Sequence, residues 1–548
     1  MTRLTRISFL LAGFFALDKG VAILRQIIIA RQFGLSAELD AFNVANNVPD
    51  LLFALISGGA LAMAIIPVLS ETLTRSGRET AWRLFSNIGN LAFVATALLA
   101  VVIALFAGPL VRAEVGIAPG FGPQQQSLVI TLMRINLIAT LIFSLSGLVM
   151  AGLQANQHFL LPALAPLLYN LGQIFGALVL APEKGYTLAG VTLPAFNLGV
   201  YGLVYGVILG AALHLGIQLP GLLKYKFRWT PEIHLRDAAV RQVLRVLGPR
   251  LFTVFTVQLI FIVRDNLASR LTEGSVTALT LGWMIQQVPE TLIGTAIATA
   301  ILPTLSELVT RGEADAFRQT IERAVRIDLG LALPVGAALA VGVGPLVQLA
   351  FGFDVGATDL VVWTVRGYLA GLIGHCLLEV ASRSFYAQQD AITPLFGSLV
   401  NLTLYIGVGS LLYRPLGAPG VSLTDSLAFT AQALFLLALL RVSPARLNGF
   451  YRRFFRPAAR SGFWGRVMAW LVDQEAMEKR RLSAQFQPEG TLLRAVLAAL
   501  LAGLVTTGIM RFSVNVLPGW MGAALAMAAG GASALPLVWK EIRILLKF

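Results

Sequence analysis

Apolar stretches long enough to cross a bilayer recur along almost the whole chain, and they leave room for little else. A bilayer-spanning helix needs roughly 20 mostly apolar residues. Fourteen such windows lie between polar breaks, near 8–31, 41–70, 83–108, 127–153, 158–181, 197–222, 245–270, 276–305, 327–351, 359–385, 392–413, 418–440, 491–512 and 518–539. Only 13% of the 548 residues are charged, where a soluble domain has about a quarter. The sequence therefore predicts an all-α polytopic membrane protein. The first apolar run lacks a small-residue cleavage site and continues into a charged stretch, so no cleavable leader is expected.

The loops fix the expected orientation. Arg75, Arg78 and Arg83 follow span 2, and Lys224, Lys226, Arg228, Arg241 and Arg245 follow span 6. Arg311, Arg318, Arg323 and Arg326 follow span 8, while the alternate loops are poorer, one with Arg112 and Glu114, another with Glu183 and Lys184. The positive-inside rule puts the basic loops and the N-terminus in the cytoplasm, and an even span count returns the C-terminus there. The net charge of +14 then reads as loop cations meeting anionic lipid rather than as a nucleic-acid surface. The segment 442–490 mixes arginines with aromatics and is expected to lie as an amphipathic stretch on the inner leaflet.

The chain repeats itself. "AIIPVLSE" begins at Ala64 and "AILPTLSE" at Ala300, with six of eight positions identical. Upstream, Arg25 and Arg31 stand six apart with Pro49 24 residues after Arg25. Arg264 and Arg270 stand six apart with Pro289 25 residues after Arg264. Spans 1–2 thus match spans 7–8. This gives two six-helix lobes, 1–223 and 224–441, related by a parallel pseudo-two-fold along the membrane normal. The basic segment 442–490 and two C-terminal helices within 491–548 follow.

Two lobes of one orientation enclose a cleft, and the charges in the spans are candidates to line it. "LDKGVAILRQIIIA" (Leu17–Ala30) carries Asp18, Lys19 and Arg25. Asp18 and Arg25 are seven apart and share a helix face. A charge at mid-membrane costs about 2.5–3.5 kcal/mol and faces a bundle interior or a wet cavity. Either Asp18 pairs with Arg25 or Lys19 to hold helices together, or the surplus positive charge draws an anion into the cleft. Arg134 has no obvious partner and is a further cavity candidate; Arg264 and Asp265 add charge in span 7. Glu379 and Arg383, at i and i+4, suit each other. Pro49, Pro67, Pro289 and Pro303 interrupt the helices of the repeated unit. Gly202, Gly206 and Gly210 invite close approach of another helix.

Catalytic chemistry has little to stand on. No Walker A loop, HExxH or GxSxG is present, so no catalytic residue and no cofactor is expected. Cys376 is the only cysteine, which excludes an intrachain disulfide and a Cys-based metal site. His158, His214, His234 and His375 show no metal-ligand spacing. Glu38 and Asp40 form an acidic pair that a membrane glycosyltransferase could use, yet the outer loops are too short to hold a donor and an acceptor. Asp40 also opens a helix, where a carboxylate suits the positive end.

"ILRQIIIARQFGLSAELDAFNVANNVPDLL", "GGALAMAIIPVLSE", "AIATAILPTLSELV" and "RSFYAQQDAITPL" resemble segments of the MurJ/MviN lipid II flippases, part of a larger superfamily of multidrug and polysaccharide-lipid exporters. The resemblance covers essentially the whole chain. It implies a flippase rather than an enzyme, moving a lipid-linked peptidoglycan precursor to the outer leaflet of the bacterial inner membrane by alternating access. The implied partners are an undecaprenyl-diphosphate-linked sugar, the bilayer and the cell-wall synthesis machinery. Arg25 and Asp40 stand where the family has a functionally important arginine and aspartate, and Lys19 where many members have arginine. Phe53 and Met284 stand where the family has cavity arginines; Gly58 and Gln287 replace glutamates. The sodium pair of some members, Asn and Asp four apart in span 11, is here Asn401 and Tyr405. The site expected from residues and resemblance together is Lys19, Arg25, Asp18, Asp40, Arg134 and Arg264. An exporter of another polyprenyl-linked glycan or an amphiphilic drug, and a non-transporting envelope scaffold, remain as alternatives.

Overall fold

The computed structural model describes residues 3–57, 59–188, 190–234, 237–442, 490–513 and 516–546. The basic segment 442–490 lies, apart from its ends, outside the described residues. A helix covers each of the fourteen apolar windows. Eight helices among the described residues are long and apolar enough to cross a membrane, or up to 10 if each of two bent pairs is one span. The backbone divides into two compact units, 1–277 and 278–548. These bounds differ from the sequence-repeat halves because span 7 packs with the first unit.

The first unit holds α1 (Arg3–Phe33), α2 (Ala37–Leu52), α3 (Gly59–Arg75), α4 (Gly77–Arg112), α5 (Pro123–Ala155), α6 (Leu160–Phe175), α7 (Val200–Gly216), α8 (Leu219–Lys224) and α9 (Ala238–Ala268). Ser36 ends the first turn-around by capping α2, its hydroxyl accepting from Leu39 N at 3.2 Å. Pro49 removes a helical hydrogen bond, and the chain then relaxes into a π-helical turn, Phe53–Ser57, before α3. The spacing of Gly202, Gly206 and Gly210 does bring a helix close. A Cβ on Gly206 would sit 2.8 Å from Gly176 Cα, and one on Gly202 2.5 Å from Ala181 N. Backbone meets backbone there, so a side chain has nowhere to go. The unit's core joins Ile65, Leu69, Trp82, Phe85 and Leu148 to Val240 and Val243 of α9.

The second unit holds α10 (Ser275–Glu290, its first turn shared with the first unit), α11 (Ala296–Arg311), α12 (Ala314–Phe351), α13 (Val355–Leu369), α14 (Leu372–Ala387), α15 (Ile392–Arg441), α16 (Thr491–Ser513), α17 (Gly519–Ala534) and α18 (Trp539–Leu545). The proline device recurs: Pro289 precedes the π-helical turn Thr291–Thr295 between α10 and α11. Two windows share α15, which breaks at Gly417 with φ 64° and ψ −147°, a backbone only glycine adopts readily. α12 packs along α16 and α17. The chain bends by 91° from α17 into α18, where buried Glu541 meets Arg494 at 2.7 Å.

Candidate functional site

Three side chains from distant segments meet in the first unit. Asp18 and Arg25 do share one face of α1, yet the two charges are bridged rather than paired directly. Asn170 of α6 accepts from Arg25 Nη1 through Oδ1 at 2.8 Å, and its Nδ2 donates to Asp18 Oδ1 at 2.8 Å. The amide bonds once to each ion and holds their spacing. Arg25 Nε is buried with no hydrogen-bond partner. Asp50 also acts on Arg25 by charge. Asp50, on α2, is exposed. Asp50 therefore brings a second carboxylate to bear on Arg25.

Asp50 also changes the charge count. Lys19 is exposed, and the expected surplus of positive charge on α1 is matched once Asp50 is added to Asp18. Asp50 ends the polar run "NNVPD" and carries no sign in the sequence that it faces α1. Asn170 is an amide in an apolar span, with Gln173 three residues on, which is the one feature that could have marked it.

Aromatic rings continue from this point. Phe53 meets Phe143 at 5.0 Å between centroids, and Phe143 meets Tyr169 at 5.0 Å and His214 at 5.4 Å. Phe53 therefore presents an edge-packed ring beside the Arg25 cluster, with no donor for an anion.

Asp40 stands elsewhere, ten residues along α2 from Asp50, about 15 Å on a helix. Its side chain is 1% exposed. Oδ2 accepts from Gly274 N at 2.8 Å; Oδ1 accepts from Thr277 N at 2.8 Å and Thr277 Oγ1 at 2.6 Å. In return Glu273 Oε1 accepts from Ala37 N at 2.7 Å. The turn 272–277 and the start of α2 thus cap each other's helix termini. Burial raises the Asp40 carboxyl to about 6, against the pull of its donors. Asn43 Nδ2 donates to Thr277 Oγ1 at 3.1 Å, Asn47 bonds Asp265, and Asn46 bonds Asn136. All three asparagines of "NVANN" are used to tie α2 to its neighbours.

Arg264 is 7% exposed; its Nε bonds Asp265 Oδ1 at 2.7 Å and its guanidinium lies 5.2 Å from the Phe261 ring centre. Arg134 is exposed on α5 and donates from Nε to Ala104 O of α4 at 2.9 Å. Arg366 of α13 does the same to Ala340 O of α12 at 2.8 Å. Spans 4 and 10 occupy equivalent places in the repeat, so this arginine strut is shared by the two halves. The structure brings together Asp18 and Arg25, and leaves Asp40, Arg134 and Arg264 at separate points.

The second unit contributes a groove of about 400 Å³. Val325, Leu329, Leu377, Leu437 and Val496 line it, and Arg441 is its only charged lining residue. Helices α12, α14, α15 and α16 supply its walls. Its chemistry fits an alkyl chain whose polar end lies near a cation.

A family model described as lipid II flippase MurJ matches residues 29–456, most of the chain. The chain belongs to the lipid II flippase MurJ family. A lipid II flippase MurJ of Burkholderia cenocepacia is 30% identical over 440 residues, covering 78% of this chain and 82% of that protein. A probable lipid II flippase MurJ of Vibrio cholerae is 25% identical, covering 86% of this chain and 90% of that one. Among solved structures, a lipid II flippase MurJ in an inward closed conformation matches with TM-score 0.73 at 18% identity, covering 98% of this chain and 100% of that one. An inward-facing multidrug resistance MATE family transporter matches with TM-score 0.63 at 17% identity, covering 77% and 94%. At those identities the structures speak to the fold, an all-α polytopic one. The chain is a multi-pass bacterial membrane protein. Met284 is half-buried, and Phe53 is built into the aromatic cluster; these are the two positions where the resemblance leads one to expect cavity arginines.

Proposed function

We propose that this chain is a lipid II flippase of the inner membrane, carrying the undecaprenyl-diphosphate-linked sugar from the inner to the outer leaflet by alternating access, with both termini cytoplasmic. It is a transporter and not an enzyme. The observation that carries the reading is Arg25, an intramembrane guanidinium held by Asn170 at 2.8 Å with an unpartnered Nε. A diphosphate is acceptor-rich and strongly anionic, and a guanidinium fixed by an amide offers it charge-assisted bonds without reorganising. Asp18 and Asp50 balance Arg25 when the site is empty, so cargo enters by displacing Asp50 from Arg25 rather than by meeting a free cation. Lys19, one residue from Asp18 and exposed, adds a second, mobile charge. Arg134 and Arg264 support the walls through Ala104 and Asp265. The latch around Asp40 closes the outer end. With the inside negative, each charge moved outward through 100 mV gains about 2.3 kcal/mol.

An exporter of another polyprenyl-linked glycan is the second reading, favoured by Phe53 in place of a donor. Complementation separates them. The chain should sustain growth of a bacterium depleted of its own lipid II flippase, and failure to do so while reaching the membrane would favour the second. Orientation is checked by thiol labelling in intact cells, with Cys376→Ser as background. A cysteine at Gln124 should react with an impermeant reagent and one at Arg228 should not; the reverse pattern inverts the topology.

A further inference from the structure

The second unit buries a cluster of ionisable groups that the cargo site does not use. His375 on α14 is 2% exposed. Its Nε2 lies 2.9 Å from Asp425 Oδ2 on the second half of α15, and its Nδ1 lies 3.7 Å from Glu290 Oε1 at the end of α10. Gln286 Nε2 donates to the other Glu290 oxygen at 3.1 Å. The imidazole stacks on Phe429 at 4.2 Å and meets the Trp283 ring at 5.5 Å. These contacts fix the ring plane and keep both nitrogens aimed at carboxylates. The packing that permits this is specific. Gly371 and Gly374 let α14 sit against α15, with hypothetical Cβ atoms only 2.4 Å from Ser426 Cα and 2.1 Å from Thr430 Oγ1. Ser426 Oγ then donates to Gly367 O at 2.6 Å, one residue from Asp425.

The cluster extends beyond the histidine. Glu379, one turn on, pairs with Arg383 at 3.2 Å. On α12, Asp328 is 0% exposed and neither carboxyl oxygen has a hydrogen-bond partner. Asp328 and Glu379 act on each other by charge, and Asp328, Glu290 and Glu379 all act on Cys376, next to His375. The charges acting on His375 itself are Asp425, Glu290 and Glu379. Four carboxylates thus face one arginine and one imidazole. Even with the imidazole protonated the group carries a net charge of −2 when every acid is ionised. An isolated ionised carboxylate without donors is costly in a low-dielectric interior, and Asp328 has no donor at all. Proton uptake removes that cost without moving the backbone.

We propose that the second unit carries a proton-binding site, formed by His375 between Asp425 and Glu290 and extended by Asp328, which loads and unloads a proton during transport. The ligand is a proton taken from outer-face water and released to inner-face water. It adds to an imidazole nitrogen or a carboxyl oxygen, and no other bond forms or breaks. The doubly protonated imidazole donates to Asp425 at 2.9 Å and attracts Glu290 across 3.7 Å; the neutral one loses that attraction, so proton loss loosens α10 from α15 around the ring. Helices α10 and α15 are therefore the elements whose packing the proton sets. Intramembrane ionisable groups that face a bundle interior are where proton relays are built.

Coupling to cargo rests on the flippase reading; proton binding does not, and two measurements keep them apart. Infrared spectra of the full-length protein without cargo should contain a protonated-carboxyl band near neutral pH that Asp328→Asn removes. An identical band in that variant would overturn the site. In proteoliposomes with the electrical potential clamped, a gradient of one pH unit, acid outside, should shift lipid II distribution about tenfold for one coupled proton. His375→Gln should abolish that shift while leaving its distribution without a gradient. A sodium gradient that replaces the proton gradient, or a shift unchanged in His375→Gln, would overturn the coupling. No flipping by the native chain under any gradient would instead count against the flippase reading, and the infrared result would still decide the proton site.

Discussion

Removing the Asp40 carboxylate should open the end of the first unit where α2 meets the turn 272–277. The carboxylate accepts from two backbone N–H groups and one hydroxyl, all at 2.6–2.8 Å, and is 1% exposed. Asp40→Ala strands all three donors. Each buried donor left unsatisfied costs about 1–3 kcal/mol, so three of them cost about 3–5 kcal/mol together once their non-additivity is allowed for. If the contacts exist only in the latched state, that loss shifts the latched-to-unlatched ratio by about 10² to 10³ or more. Glu273 still caps Ala37 N, so the variant should fold. Ser275, 1% exposed, reports the change. In a Cys376→Ser background, Ser275→Cys should be protected from an impermeant thiol reagent when Asp40 is present and labelled readily when it is alanine. Asp40→Asn keeps one acceptor and should fall between. Equal protection in both backgrounds, with both proteins folded, would show that Asp40 is not a latch.

Phe53→Arg together with Met284→Arg introduces the arginines that the sequence resemblance leads one to expect. If the site is a weak version of the family's, the restored chain should complement a flippase-depleted cell better than the native one; reduced complementation would mean a cavity rewired around Arg25 and its aromatic neighbours. Asp50→Asn removes the acid that competes with cargo for Arg25, so the purified protein should bind a lipid diphosphate more tightly, by about tenfold for a 1.4 kcal/mol change; weaker binding would mean that Asp50 positions Arg25 instead. Gly206→Leu drives a side chain into Gly176, and it should lower stability by about 1–3 kcal/mol, read as a drop in Tm; an unchanged Tm would mean that α6 and α7 can separate at no cost.

The helices were legible because a span leaves a long, strong signal, and even the break in α15 was marked by Pro415, Gly417 and Pro419. The repeat was legible because its prolines and arginines keep their spacing. The contacts that build the site were not. Asn170 stands 145 residues from Arg25, and an amide in an apolar span, here one of two with Gln173, does not name its partner. Asp50 follows Pro49 and reads as the end of a polar run, so the charge balance at Arg25 could not be counted from α1 alone. Asp40 was legible as a helix-start carboxylate, yet the helix it caps is α10, more than 230 residues away. Arg134 looked partnerless because its partner, the Ala104 carbonyl, is backbone and leaves no mark in the sequence. His375 showed no ligand spacing because its carboxylates come from other helices.

The central claim is that Arg25 serves cargo and does not merely balance acids within the first unit. Lipid II flipping by the purified chain in proteoliposomes tests it, comparing Arg25→Ala with the double variant Asp18→Asn, Arg25→Gln. The double variant removes both charges that Asn170 bridges and keeps two amides to bond it. If Arg25 grips the diphosphate, both variants lose flipping while remaining folded, and Arg25→Lys recovers part of it. Native-level flipping by the double variant would contradict the account, since the bridge would then be structure alone.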